Sequence, residues 1–289
     1  MRGGREDSIR LIGLTGEVPT GISRRSVLGI AGALAATMAA CSSGTPSARS
    51  AAMTRYTYGD HPSQYAELTL PDAVAAAPVV VVVHGGYWGA SYGAELGRPL
   101  AVDLAANGFA ALNVEYRRLG DGGGWPQTGD DVAAAVATLR DRDGVDLRHV
   151  VGLGHSAGGQ LAGWLAAQGP LTGVVLQAGV LDLVAGSAAG LGGGAVEAFL
   201  GGTPEQRPDA YAQASPLARL PLRVPSIAVH GTRDTLVPID QSRRFVDAAR
   251  AAGDSSELRT FDGDHFDPIT VGTPAWAECL DAVRRLTGR

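Results

Sequence analysis

Residues 149–168 of this 289-residue chain read HVVGLGHSAGGQLAGWLAAQ, and this segment carries the strongest indication of how the chain folds. The apolar run that ends at Leu153 predicts a buried strand, and residues 160–168 have the apolar spacing of a helix. Between them, GHSAG at 154–158 places a serine among small residues, which permit a strained strand-to-helix turn. The pattern predicts that Ser156 is a nucleophile whose hydroxyl projects above a sheet.

The same stretch also fits a dinucleotide-binding fingerprint, because G-x-G-x-x-A spans 152–157. That fingerprint opens the first strand–helix unit of a domain and is followed about 20 residues later by an acidic residue. Here several predicted units come first, and the next acidic residue, Asp182, lies 30 positions beyond Gly152. The remaining motifs favour serine chemistry instead.

From Thr54 onward, short β-rich runs alternate with longer Ala-rich segments of helical character. This alternation predicts an α/β fold with a mostly parallel central sheet and helices on both faces. We expect strands near 54–58, 65–70, 79–84, 109–114, 149–154, 173–178, 225–230 and 257–261, and helices near 92–107, 127–140, 157–168, 240–252 and 274–286. Glycines and prolines interrupt residues 185–221, which are expected to form a small lid segment over the site and not a second domain.

Two further motifs follow strand ends later in the chain. HGTRD at 230–234 ends in Asp234, and GDHF at 263–266 contains His265. A serine nucleophile needs a base that takes its proton and an acid that fixes the tautomer of that base. The chain order Ser, Asp, His is the one that accompanies this type of serine turn. We therefore predict a catalytic triad of Ser156, Asp234 and His265.

Other titratable residues lie near the same strand ends. His155 adjoins the nucleophile and His230 lies on its own strand, so we expect packing roles for both. Asp264 and Asp267 flank the proposed base and are expected to be solvated carboxylates that cap or tune its loop. Asp182 is expected to support a loop near the site.

The sequence HGGYW at 84–88 follows the apolar run of the third predicted strand. Its glycines let backbone N–H groups face inward, so the N–H of Gly86 or Tyr87 can join that of Ala157 in an oxyanion hole. Ligands of α/β proteins collect on the loops that follow strands. Four aromatic residues on such loops are therefore expected to line the substrate pocket: Trp88, Tyr116, Trp125 and Phe266.

Glu115, Tyr116 and Arg117 directly follow the fourth predicted strand. We expect these residues to fix the adjoining loop. Arg117 is expected to pair with Asp130 or Asp131, which come early in the next predicted helix.

Composition narrows the classes of function. With 45% hydrophobic and 18% charged residues, the chain is globular. All 24 basic residues are arginines and the net charge is -5, so no basic field attracts nucleic acid. The six histidines lack metal-binding spacing, and a disulfide between Cys41 and Cys279 has no other support in the sequence. We expect no metal, no other cofactor and a small-molecule ester as the partner; the sequence does not specify an oligomeric state.

With the HGGYW loop, the GHSAG turn, Asp234 and His265 in this order, residues 54–289 resemble the α/β-hydrolase superfamily. The HGG-x-W form, together with NVEYRRL at 113–119, is most similar to kynurenine formamidase-like and carbohydrate-esterase-like bacterial carboxylesterases. Hormone-sensitive-lipase-like enzymes usually carry a third glycine where this chain has Tyr87. The resemblance implies a serine carboxylesterase. The alternatives are amide, peptide or aryl-formamide hydrolysis by the same residues, and a non-catalytic binding protein on this fold.

The amino-terminal segment carries a signal of another kind. A twin arginine at 24–25 precedes an uncharged run at 27–40 and resembles a bacterial twin-arginine export signal; the run is shorter than the about 20 residues of a membrane-spanning helix. The sequence MAAC that ends at Cys41 is similar to a lipoprotein processing site, and ordinary cleavage just before that cysteine is the alternative. We expect residues 1–40 to be removed and 41–53 to form a flexible tether. The domain is then exported and meets the membrane only through its signal or a lipid on Cys41.

Overall fold

The computed structural model describes residues 53–72 and 74–289. Their eight strands form one sheet: β1 (Met53–Thr57), β2 (Tyr65–Thr69), β3 (Ala77–Val83), β4 (Ala110–Val114), β5 (Val145–His155), β6 (Gly173–Gln177), β7 (Ser226–Gly231) and β8 (Ser256–Phe261). The strand order is β1-β2-β4-β3-β5-β6-β7-β8. Strands β3 to β8 run parallel, whereas β2 is antiparallel to both of its neighbours. All eight predicted strands are present, and the mostly parallel α/β sheet is confirmed.

The helices lie between the strands: α1 (Arg98–Ala106), α2 (Gln127–Ala137), α3 (Ala157–Ala166), α4 (Leu183–Ala188), α5 (Ala195–Leu200), α6 (Pro208–Ala214), α7 (Asp240–Ala251) and α8 (Pro274–Thr287). Helices α1 and α8 pack on one face of the sheet, and α2, α3 and α7 pack on the other. The expected helices on both faces are therefore confirmed.

Strand β3 shows why the sheet is buried. Val79, Val81 and Val83 pack into the core on the α3 face, and Val80 and Val82 pack into the core on the α1 face. Because side chains alternate across a strand, an unbroken run of valines fills both cores. Each fully buried valine stabilises the fold by about 1.5–3 kcal/mol relative to an exposed one.

Two predicted boundaries differ from the structure. Strand β5 begins at Val145 and not at 149, because Val145 and the half-buried Asp146 pair with Ala77 and Pro78 at the start of β3 before the register shifts. Helix α1 begins at Arg98 and not at 92. Residues Ala94–Leu96 form a separate 3-10 helix, and Pro99 lacks the N–H that a helix continuing from residue 92 would need. Gly97 lies so close to the Asn113 side chain that a Cβ there would be 2.1 Å from Oδ1.

The segment predicted as a lid lies between β6 and β7 and contains α4, α5 and α6. Phe199 of α5 stacks on Trp88 of the HGGYW loop, with ring centroids 4.5 Å apart. The segment is therefore docked against that loop. Its action as a lid stays a prediction.

The first strand fixes where the described chain enters the fold. Met53 pairs with Thr69, and Thr69 pairs with Ala111 near the amino end of β4. Across the sheet, this is the edge opposite to the end of β5. The predicted export signal, Cys41 and nearly all of the predicted tether lie outside the described residues.

Two further observations concern the helices and the cysteine within residues 53–72 and 74–289. Within these ranges, no helix has the length and apolar character required to cross a bilayer. Cys279 of α8 is a free thiol in the core, and burial raises its pKa to about 12. A thiol of this kind stays protonated and unreactive at neutral pH.

Glycines bring α3 into direct contact with the sheet. A Cβ on Gly158 would lie 2.1 Å from Val83 O and 2.4 Å from His84 O, and one on Gly154 would lie 2.2 Å from Gly158 O. These distances are well inside van der Waals contact. Helix α3 can therefore start directly above β3 and β5 only if both positions lack a side chain.

We expect Gly158→Ala to lower the free energy of unfolding by about 3 kcal/mol, because α3 must move away from the sheet. Gly186→Ala in α4 is the control, since its Cβ would meet Val180 at an ordinary 3.4 Å. Alanine also favours a helix by up to about 1 kcal/mol over glycine. Urea unfolding measures both effects, and equal stability of the two variants would contradict the packing argument.

Candidate active site

The predicted nucleophile lies in a strained turn between β5 and α3. Ser156 has φ 54° and ψ −118°, and positive φ of this kind costs a non-glycine residue about 1–3 kcal/mol. Backbone hydrogen bonds hold the turn. Ser156 N donates to Gln177 O at 2.8 Å, and Ser156 O accepts from Gly159 N at 2.9 Å and from Val180 N at 3.2 Å. The serine is thus fixed at the carboxyl edge of the sheet.

The predicted base and acid form a short hydrogen bond. His265 Nδ1 lies 2.6 Å from Asp234 Oδ2. The other carboxylate oxygen, Oδ1, accepts from the N–H groups of Leu236 and Val237, both at 2.9 Å. Because an ionised carboxylate only accepts, His265 Nδ1 carries the proton and Nε2 is left as the proton acceptor.

Asp234 stays ionised at neutral pH although its side chain is fully buried. Burial raises the pKa of this carboxyl group, but the close contact of His230 and the hydrogen bonds from His265 and the Val237 N–H outweigh burial and hold the pKa well below its usual range. A negative charge beside His265 stabilises the imidazolium that forms when this ring takes up a proton. The pair therefore has the electrostatics of a general base.

A second buried histidine ties the base to the nucleophile's strand. His155 Nε2 lies 2.9 Å from His265 O, and the two ring centroids are 4.5 Å apart. Since a carbonyl oxygen only accepts, Nε2 of His155 is the donor. His155 directly precedes Ser156, so this bond holds the loop of the base against the serine turn. The structure thus brings Ser156, Asp234 and His265 to one edge of the sheet and gives His155 a packing role.

The HGGYW loop lies against the same turn. A Cβ on Gly85 would lie 3.0 Å from Ser156 Cβ, so the loop backbone contacts the serine. Gly86, Tyr87 and Trp88 have φ of 112°, 52° and 55°. Three consecutive positive φ values turn the backbone sharply beside the nucleophile. The oxyanion hole of Gly86, Tyr87 and Ala157 stays a prediction.

Buried side chains support this loop from behind. Tyr116 stacks on His84 with ring centroids 4.3 Å apart and donates its hydroxyl to His84 O at 2.7 Å. His84 Nε2 lies 3.3 Å from Glu115 Oε1. Burial raises the pKa of Glu115, but the hydrogen bond and charge of His84 outweigh burial and lower it. The expectation that residues 115 and 116 fix the adjoining loop is met.

Two of the four predicted pocket residues lie in the core, and the structure corrects them. Tyr116 is 0% exposed because its ring and hydroxyl hold the HGGYW loop. Trp88 is 1% exposed, because it stacks on Phe199 and donates Nε1–H to Gln160 Oε1 at 2.9 Å. Neither ring is open to a substrate.

The other two pocket residues differ from each other. Trp125 is half-buried and packs edge-on against Trp164, with ring centroids 5.3 Å apart. Phe266 is 53% exposed and lies edge-on to His265 at 5.3 Å. The position of Phe266 suits contact with a substrate, and that contact stays a prediction.

Sequence reasoning missed several residues at the rim of the site. Tyr92 is 47% exposed and packs over Gly86. A Cβ on Gly192 would lie 2.4 Å from Tyr87 Cδ1, so the ring of Tyr87 rests on the glycine-rich segment. Leu236, in the loop of Asp234, is 37% exposed. The glycine-rich sequence GLGGG at 190–194 is the signal that could have indicated this contact.

The contacts of the charged residues near the site agree only partly with the roles predicted for them. Arg117 binds Asp131 through Nε and Nη2, both at 2.8 Å, so Asp131 and not Asp130 is its partner. Asp182 caps α4, accepting from Ala185 N at 3.0 Å. Asp264 and Asp267 accept backbone N–H groups within the loop of His265. Asp264 and Asp267 therefore cap the loop of His265, as expected, whereas Asp182 caps a helix.

The buried His155 makes stability depend on pH. Burial lowers its pKa from the ordinary 6.5 to about 3, and the nearby His265 adds to the effect. Below pH 6.5 the His155 side chain of the unfolded chain takes up a proton. In the folded protein the same ring stays neutral until the pH falls to about 3. The contribution of His155 to the free energy of unfolding is therefore fully present above pH 6.5. It decreases as the pH falls, by at most about 1.4 kcal/mol per pH unit.

We expect His155→Gln, which keeps a donor for His265 O, to remove this contribution of His155 to the pH dependence of stability. Between pH 7 and pH 5 the wild-type free energy of unfolding should fall by about 2 kcal/mol more than that of the variant. Urea unfolding at the two pH values gives both differences. If the free energy of unfolding fell equally with pH in both proteins, folding would not disfavour protonation of His155, and the prediction would be wrong.

Comparisons with known proteins show what this chain is similar to. The chain is 29% identical over 226 residues to Esterase LipC of Mycobacterium tuberculosis (strain ATCC 25618 / H37Rv), a match that covers 70% of this chain and 56% of that protein. The chain thus spans little more than half the length of this relative.

Solved structures share the fold. A bifunctional GH43-CE protein from Bacteroides eggerthii has a TM-score of 0.71 at 24% identity, over 81% of this chain and 35% of its own. Esterase B from Lactobacillus Rhamnosis (HN001) has a TM-score of 0.71 at 22% identity, over 82% of this chain and 85% of its own. At these identities the likeness shows the α/β-hydrolase fold alone.

The profile of the BD-FAE family matches residues 67–248. This match includes the HGGYW loop, the serine turn and Asp234. Because it covers more than half of the 289 residues, the chain belongs to the BD-FAE family, within the α/β-hydrolase superfamily.

Proposed function

We propose that this protein is a serine carboxylesterase that acts on small-molecule esters. The observation that carries the proposal is the buried Asp234–His265 pair, which lies beside a serine in a strained turn. The pair leaves His265 Nε2 as a proton acceptor at the edge where Ser156 is presented. Esterase LipC and Esterase B are named as esterases, which supports the ester as the bond that is cleaved.

In the first half of the proposed reaction, Ser156 Oγ attacks the ester carbonyl carbon as His265 Nε2 takes the hydroxyl proton. The carbonyl oxygen becomes an oxyanion, which the N–H groups of Gly86, Tyr87 and Ala157 bind. When the intermediate collapses, the bond to the leaving oxygen breaks and His265 returns the proton to the alcohol. An acyl-serine remains.

In the second half, His265 takes a proton from water and the hydroxide oxygen attacks the acyl carbon. Collapse of this intermediate breaks the bond to Ser156 Oγ, which regains the proton from His265. The buried charge of Asp234 stabilises the imidazolium in both halves. The proposed cycle uses only side chains, backbone N–H groups and water, so it requires no cofactor.

Amide, peptide or aryl-formamide hydrolysis is the alternative, because the same residues can protonate a leaving nitrogen. The resemblance to kynurenine formamidase-like enzymes supports the formamide version. A binding protein without catalysis is a further alternative, and the intact pair of Asp234 and His265 argues against it.

We expect Ser156→Ala to lower kcat on p-nitrophenyl esters by at least about 10⁴-fold, because it removes the atom that forms the acyl-enzyme. The measurement is hydrolysis of a series from acetate to long acyl chains. Ser255→Ala, at an exposed serine before β8, is the matched control and should keep wild-type activity.

A fluorophosphonate probe should label the wild type and the control, but not Ser156→Ala. Full esterase activity in Ser156→Ala would refute the proposal. If the wild type is labelled but cleaves anilides or aryl formamides and no ester, the amidase alternative is correct. If it is neither labelled nor active, the binding-protein alternative replaces both.

We also propose that the protein is exported through its twin-arginine segment and that Cys41 carries a lipid. The sequence at 24–41 supports this proposal. We expect the intact mass of protein purified from a host with this export route to correspond to a chain that begins at Cys41 with added diacylglycerol. An exported chain with an unmodified Cys41 would contradict lipidation alone, and a full-length cytoplasmic chain would contradict export.

A further inference from the structure

A third histidine lies against the acid of the site. His230, near the end of β7, is 0% exposed. Its Nδ1 lies 2.7 Å from Ser242 Oγ of α7, and its Nε2 lies 2.9 Å from Val237 O. The same Nε2 is also 3.2 Å from Asp234 Oδ2, the carboxylate oxygen that faces His265.

The partners of His230 fix its tautomer. Val237 O can only accept a hydrogen bond, so Nε2 of His230 carries the proton. Nδ1 then accepts from the Ser242 hydroxyl. The N–H of the ring points at Val237 O and presents its positive end to Asp234 Oδ2 as a second, electrostatic contact.

These contacts restrain both carboxylate oxygens of Asp234. His230 holds Val237 through the carbonyl, and Val237 in turn donates its N–H to Asp234 Oδ1 at 2.9 Å. One carboxylate oxygen is therefore fixed by the loop backbone, and the other lies between two imidazole rings. Rotation of the carboxylate would break bonds on both sides.

We propose that His230 is a positioning residue that keeps Asp234 Oδ2 aligned with Nδ1 of His265. Its effect on catalysis rests on the proposed serine hydrolysis, because His230 acts through Asp234 and touches no reacting atom. This role goes beyond the packing role expected from the sequence.

Several other titratable or charged groups lie around Asp234 and His265 and also contribute to the pH dependence of the site. On the serine side, His155 stays uncharged because burial lowers its pKa to about 3. On the loop side, burial raises the pKa of Tyr87, with a smaller contribution from the charge of Asp234. Asp264, Asp267 and the exposed ion pair of Arg233 with Asp262 lie on the neighbouring loops. On the α7 side are the ion pairs of Arg243 with Asp240 and of Arg244 with Asp182. All of them remain unchanged in the test below.

The test compares three variants. His230→Leu keeps the volume of the side chain and removes the N–H, whereas His230→Gln keeps a donor at the place of Nε2. His149→Leu is the control, since His149 lies in the first half of β5, toward the amino edge of the sheet. Each protein is titrated with a fluorophosphonate so that kcat refers to active sites alone. The readouts are kcat, KM, the pH profile of kcat/KM and the downfield proton resonance of His265 Nδ1–H.

For His230→Leu we expect kcat to fall by about 10- to 100-fold, by analogy with the loss seen when a group that orients a metal-binding histidine is removed. KM should change less than about two-fold, since binding of substrate is untouched. A looser Asp234–His265 bond stabilises the imidazolium less. The acidic limb of the pH profile should therefore move to lower pH, and the Nδ1–H resonance should move upfield. His230→Gln should restore most of these values, and His149→Leu should match the wild type.

A His230→Leu protein that keeps the resonance and the pH profile would overturn the proposal, even if it were less stable. So would a His230→Gln protein as impaired as His230→Leu. The resonance does not depend on any substrate. A wild type without esterase activity would thus refute the proposed function while the resonance still decides the positioning role.

Discussion

The close approach of α3 to the sheet is the constraint on which the rest of the site depends. Gly154 and Gly158 let the helix start directly above β3 and β5. This leaves no space for a relaxed connection, so the residue between strand and helix adopts positive φ. The strain at Ser156 is therefore a consequence of packing between two large elements, which supply far more stabilisation than the about 1–3 kcal/mol that the turn costs.

The electrostatics of the site follow from burial on every side of one carboxylate. Asp234 has no exposed side-chain surface, and in water-free surroundings a charge needs several donors to stay ionised. Backbone N–H groups supply two of them and His265 a third, while His230 adds a close dipole. The carboxylate is thus held in one charge state and one orientation, and both properties are what a neighbouring base requires.

The strands and the three proposed catalytic residues could be predicted from the sequence, but for different reasons. Strands such as β3 have an unmistakable apolar pattern, and the chemistry of a serine nucleophile restricts residues 156, 234 and 265 to a few types. The burial of Trp88 and Tyr116 could not be predicted, because it arises from contacts with Phe199 and His84 that are distant in sequence. The same holds for His230, whose contact with Asp234 depends on how the loop after β7 folds back. A local pattern indicates that a residue follows a strand, but not whether its side chain points to the core or to the substrate.

The path of β1 has a practical consequence for how the domain can be attached to other things. Because β2 is antiparallel to both neighbours, Met53 lies at the edge of the sheet near the start of β4, whereas Ser156 follows the end of β5. A lipid, a solid support or a fused protein that is joined ahead of Met53 is therefore linked to the domain at the edge that faces away from the serine. Immobilisation through this end should leave the entrance to the catalytic edge open.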